Sequence, residues 1–128
     1  MAYEENITFS KRTVLAIADL SSCQYYAVTN TSGGASVATA AKACDGILQD
    51  NPVAGKAGVV AYDGVTKAAI SASTTVVGNT TMLEVDSGGT LKPYNAGIIV
   101  AKALESITSN AAVNIIAVKL LPANALFA

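Results

Sequence analysis

The chain has 128 residues, of which 52% are apolar and only 13% charged, with a net charge of −1 and no histidine or tryptophan. That length fits a single domain, and the near-neutral balance, with a pI of about 5.2, leaves no basic footprint for nucleic acid. The absence of histidine excludes Ser-His and Cys-His nucleophile systems and removes the commonest acid/base group and metal ligand.

Residues 1–12 are polar and mixed in charge, with Tyr3, Ile7 and Phe9 as isolated apolar anchors, and read as a partly extended arm. Thr13–Leu20 is β-branched and apolar, a strand or a short packed segment. Residues 1–20 are therefore set apart as arm and lead-in, and residues 21–128 as the β-rich body. Gln24–Asn30 is a strand closed by "TSGG", whose glycines supply turn conformations. Ala35–Cys44 is ambiguous: its alanines favour helix, whereas Val37, Thr39 and the surrounding turns favour extended structure, which we expect. Beyond it come a short strand from Gly46, turn chemistry at "DNP" and "AGKAG", and the runs Gly58–Tyr62 and Val65–Ile70. Asp63-Gly64 between those runs predicts a hairpin, because a type I′ turn needs positive φ.

The second half repeats the style. Thr80–Val85 and Thr90–Tyr94 flank "DSGG" as a second hairpin, Ala96–Leu104 is a buried strand, and Ala111–Leu121 is the last, ended by Pro122. The tail "PANALFA" stays apolar. Strands at intervals of about 8–12 residues with Gly and Asp turns predict a small all-β barrel or sandwich with an extended N-terminal arm.

Ala, Val and Thr supply 24, 13 and 12 residues. Each buried CH₂ contributes only about 0.8 kcal/mol, so the core is modest, and so apolar a chain is expected to self-associate or dock on a larger body. No apolar run approaches the roughly 18 residues of a membrane span. The N-terminus lacks the basic-then-apolar order of a signal peptide, which predicts a chain made and kept in a cytoplasm. There Cys23 and Cys44 are expected as buried thiols, not a disulfide, and they give too few ligands for a metal.

Little else carries chemistry. Glu84 and Asp86, two apart on a strand, share a face and could bind a cation or act as an acid/base dyad; a solvated strand face is the plainer account. Asp45, Asp50 and Asp63 read as turn formers and Lys56 as an exposed turn lysine. No phosphate-binding glycine motif occurs, so no enzymatic activity and no cofactor are expected.

The run "GILQDNPVAGKAGVVAYDGVTKAAISA" (residues 46–72) resembles the central signature of small tailed-phage head decoration, or capsid cement, proteins. In that pattern G-[VI]-L-Q-x-x-P precedes A-G-x-x-x-x-V and then G-V-[ST]-K. "DSGGTLKPYNAGIIVAKALES" (residues 86–106) resembles its continuation, so the likeness spans residues 24 to 121. The resemblance implies a β-rich virion protein bound to the major capsid protein on the outer face of the shell, often as a homotrimer, which reinforces that shell by multivalent burial. An arm that orders on binding could add a strand to a capsid edge. Tyr3, Ile7 and Phe9 would anchor it, and Glu4, Glu5, Lys11 and Arg12 would set register by charge. The alternatives are another phage structural β-protein of the tail or head completion, a small β-barrel binding module or enzyme using Glu84 and Asp86, and a host cytoplasmic domain.

Overall fold

A computed structural model describes residues 11–31, 33–109 and 111–121. Five strands form the first half: β1 (Lys11–Leu15), β2 (Ala27–Thr31), β3 (Gly34–Val37), β4 (Gly46–Leu48) and β5 (Ala57–Ala61). Five more form the second: β6 (Gly64–Ile70), β7 (Met82–Val85), β8 (Leu91–Pro93), β9 (Ala101–Ala103) and β10 (Asn114–Leu120). One 3-10 turn, Ser87–Gly89, is the sole helical element among the described residues. The protein is all-β, as the turn spacing predicts.

The first half is an antiparallel sheet in the order β1-β5-β4-β2-β3. It curls until its edges touch through one parallel bridge, Ala16 to Ala35, with the Ile17 N–H donating to the Ala35 carbonyl at 3.1 Å. Gly34 permits that approach. Its φ is +136°, and a Cβ there would lie 2.3 Å from the Leu15 carbonyl oxygen, so no other residue fits. The curl encloses Val14, Ala16, Leu20, Val28, Ala35, Leu48 and Val60.

The second half is a closed barrel in the order β10-β6-β8-β7-β9. β10 pairs with β6 over seven residues, and only the β6–β8 contact, Ile70 to Leu91, is parallel. Along β10 the even positions Ile116, Val118 and Leu120 are buried and Ile115 and Lys119 are exposed, the period-2 pattern of a half-buried strand. At the end of β6 the alternation stops: Ala68, Ala69 and Ile70 are all fully buried. There the first sheet lies against the barrel, and the Ala69 N–H donates to the Tyr25 carbonyl at 2.9 Å. The barrel core accordingly includes Ala27, Ile47 and Ala61 of the first sheet. Alanine at these positions lets two backbones approach closely, which explains much of the small-residue composition.

Several sequence expectations change in detail. Asp63-Gly64 does not close a hairpin, because β5 and β6 belong to different sheets. Of the pair only Gly64 has positive φ, +81°, and the Asp63 carboxylate accepts its N–H at 2.8 Å. The dipeptide is a corner that passes the chain from sheet to barrel. The other two turns do close hairpins, β2–β3 and β7–β8. Ala35–Cys44 holds no helix: β3 takes its first residues and a turn with Ala41 at φ +63° follows. The strand expected over residues 96–104 shortens to β9, although Ile99 and Val100 are buried ahead of it. Lys11 and Arg12, assigned to the arm by their charge, open β1 opposite Ala61 and Val60. The rest of the arm and the 122–128 tail lie outside the described residues.

Candidate functional site

Glu84 and Asp86 form the most defined polar geometry, and both are fully engaged. β7 sends Leu83 and Val85 into the core, so Glu84 projects to the other side. There the segment after β8 folds over it, leaving it 2% exposed. Its Oε1 accepts the backbone N–H groups of Asn95, Ala96 and Gly97 at 2.8, 3.2 and 2.9 Å. Its Oε2 lies 3.6 Å from Lys92 Nζ. Burial alone would push this carboxyl up, but the three N–H donors and the Lys92 ammonium outweigh it, and its pKa is lowered.

The segment it holds is itself wedged between backbones. A Cβ on Gly97 would lie 2.7 Å from Ala41 Cα, and the Ala41 N–H donates to the Val85 carbonyl at 2.8 Å. Glu84 thus ties β7, the 95–97 loop and the turn of the first sheet at Ala41 together. Asp86 works on the adjoining turn. Its Oδ1 accepts from Ser87 N at 2.8 Å and its Oδ2 from Ser71 Oγ at 2.6 Å, while Ser71 Oγ lies 2.7 Å from Thr90 Oγ1. The two do not act as a dyad: β7 ends at Val85, Asp86 caps the turn that follows, and their hydrogen-bond partners are different. A general acid also needs access and a raised pKa. Glu84 has neither.

Of the three aspartates read as turn formers, only Asp63 bonds within its own turn, whereas Asp45 and Asp50 reach 15 and 9 residues along the chain to β2 and β5. Asp45 accepts the Asn30 N–H, Asp50 the Val59 N–H at 3.1 Å, and Asp63 the Gly64 N–H. Lys56 is exposed in the turn before β5, its N–H bonded to the Val53 carbonyl at 3.1 Å. Cys23 and Cys44 are not joined in a disulfide and both are half-buried; burial pushes the Cys44 thiol up to about 12. Among the described residues no three His, Cys, Asp or Glu side chains converge on a point, and no helix is long and apolar enough to cross a membrane.

Of the predicted contact residues, Tyr3, Glu4, Glu5, Ile7 and Phe9 lie outside the described residues. Lys11 and Arg12 are exposed on an edge strand. Arg12 lines an open cavity of about 400 Å³ with Asp45 and Tyr62. The Lys11 end of β1, where the described residues begin, lies beside this mixed polar hollow. Sequence reasoning did not find the role of Glu84. Its partners are main-chain groups 11 to 13 residues away, and backbone donors leave no side-chain motif.

No family model and no curated protein matches the chain. The fold does have a solved counterpart. The N base of head fiber gp8.5 in bacteriophage phi29 superimposes with a TM-score of 0.65 at 14% identity, covering 87% of this chain and 92% of that one. Correspondence over nearly both whole chains shows that the paired sheet and barrel form one recurring architecture. At that identity the likeness is one of fold.

Proposed function

We propose that the protein is a structural component of a tailed-phage head, bound to the outer surface of the shell, which it stabilises as a decoration protein. The observation that carries this reading is the fold shared with a head-fiber base along almost the whole chain. The resemblance of residues 46–72 and 86–106 to the cement-protein pattern points the same way. The surface agrees: Leu15, Ile17, Val53, Val65, Val77, Val113 and Ile115 are each more than 40% exposed, an apolar display suited to covered faces. Glu84 and Asp86 are both occupied in holding turns, which supports a structural role.

Attachment works through several modest contacts made at once, so that departure requires breaking all of them. A homotrimer would multiply them again. Residues 1–10, with Tyr3, Ile7 and Phe9 as anchors and Glu4 and Glu5 setting register, supply one contact, continued by Lys11 and Arg12 on β1. The major capsid protein is the partner.

The test is add-back to heads assembled without the chain, read by co-sedimentation and electron microscopy. We expect density on the outer shell and heads that withstand more heat before rupture. Density on the tail, or none, overturns the reading. Deleting residues 2–10, which spares β1, should lower occupancy; unchanged occupancy removes the arm from the contact. The phi29 likeness favours a second reading, in which the module is the foot of a longer head projection. Extended density beyond the module itself would select it.

A further inference from the structure

The outer wall of the barrel carries a row of side chains that packing does not explain. Strand register sets Val65 opposite Lys119, Lys119 opposite Lys102, and Lys102 opposite Met82. Their chain neighbours Thr66, Val118, Ala101, Ala103 and Leu83 are buried, which places the row on the outside of β6, β10, β9 and β7. At about 4.8 Å between strands the row spans about 14 Å. Its ends are apolar and open, Val65 at 64% and Met82 at 36% exposure. Its middle is two ammonium groups.

Like charges directly opposite on antiparallel strands weaken the sheet. Among the described residues neither Lys102 nor Lys119 has an ion-pair partner. The one acid on these four strands, Glu84, is sealed under the 95–97 loop and faces Lys92. The next row adds Lys67, opposite Ala117 and 6.0 Å from the centre of the Tyr25 ring.

We infer that this row is a docking strip for an acidic protein surface. A partner loop or strand sets carboxylates between Lys102 and Lys119 while its apolar side chains cover Val65 and Met82. Charge complementarity identifies the occupant: the strip offers two uncompensated cations bracketed by apolar groups, the counterpart of an acidic-apolar segment. A nucleic acid fits poorly, since these four strands carry no arginine to fork phosphates and no aromatic to stack bases. The assignment of the head surface as bearer of the carboxylates rests on the function proposed above.

Lys102→Glu separates docking from folding, because it moves them in opposite directions. The new carboxylate faces Lys119 and forms a favourable cross-strand pair, so the variant should melt at or above the wild-type temperature. It should bind heads lacking the chain about tenfold or more weakly in low salt, with a shallower salt dependence than wild type. Lys102→Met, which keeps the stem and drops the charge, should fall between the two and carries the test if Lys102→Glu misfolds. Wild-type binding matched by both variants overturns the strip alone. Failure of wild type to bind heads overturns the head reading and this partner with it. A short DNA duplex should not bind; duplex binding as tight as head binding, lost in Lys102→Glu, overturns the carboxylate assignment in favour of phosphate.

Discussion

The two halves of the molecule solve one problem, closing a small sheet, by different means. The barrel closes mainly by ladders, with β10 hydrogen-bonded to both β6 and β9, and only its β6–β8 junction rests on one pair, Ile70 to Leu91. The first sheet closes by contact, through a single bridge and a glycine laid against a carbonyl. Their cores differ accordingly. The first sheet encloses a small core of its own and lends Ala27, Ile47 and Ala61 to the barrel, so it has apolar residues on two faces. The barrel, in turn, relies on a buried carboxylate to hold its long crossing loop. A ladder tolerates local loss because many bonds share the load, whereas a point contact or a single buried ion does not.

The greatest loss is therefore expected at the ion. Glu84→Ala strands three backbone donors under the loop and removes the ion pair to the partly exposed Lys92, at a cost of about 4 kcal/mol. Glu84→Gln keeps one carbonyl for the donors and should lose about half of that. Denaturant unfolding gives the totals, and hydrogen exchange should show early loss of protection at Asn95–Gly97. Equal stability of the two variants would mean that the loop stands without its carboxylate.

Gly34→Ala comes next, at about 3 kcal/mol, since it combines a strained φ with a backbone clash. Hydrogen exchange should then weaken in β1 and β3 while the amides of β6 and β10 keep their protection. Uniform weakening would instead make the halves one cooperative unit and erase the contrast between them.

Acid probes the same comparison from the barrel side. Glu84 has a folded pKa below its unfolded value of about 4.3. Its contribution is therefore complete above about pH 4.3 and is lost as the pH falls through the lower, folded value. Wild-type stability should decline there, and Glu84→Gln, already less stable at neutral pH, should show a shallower decline and approach wild type. Asp19, lowered by its hydrogen bonds to Ser21, is fully exposed and adds little. An acid limb unchanged in Glu84→Gln would assign the pH dependence elsewhere.

What was legible in the sequence was local. Alternation along β6 and β10, and the glycine turns at "TSGG" and "DSGG", depend on residues within a few positions of one another, and they carried the all-β class, the approximate place of most strands and the β7–β8 hairpin. Partner choice is not local. Asp63-Gly64 carries the chemistry of a hairpin, yet β5 pairs with β1 and β4, and β6 with β10, some fifty residues onward. The Glu84–Asp86 spacing suggested a pair but revealed neither the end of β7 between them nor the loop that covers Glu84. Lys102 and Lys119 oppose each other only because β9 and β10 pair in one register. Of the arm residues, Lys11 and Arg12 were drawn into β1 by pairing with β5, which their charge did not announce.

The corner itself gives the smallest and most specific expectation. Nothing lies within 4 Å of a Cβ built on Gly64, although its φ is +81°. Gly64→Ala should therefore cost only the backbone preference, about 1 kcal/mol, and Gly64→Asn less, because asparagine tolerates the left-handed region. Thermal melts of both variants beside Gly34→Ala compare a glycine needed for its conformation with one needed for the room it leaves. If Gly64→Ala proved as costly as Gly34→Ala, the corner would be a packed joint and not a bend, and sheet and barrel would be locked where the chain passes between them. The open space at Gly64 argues for the bend.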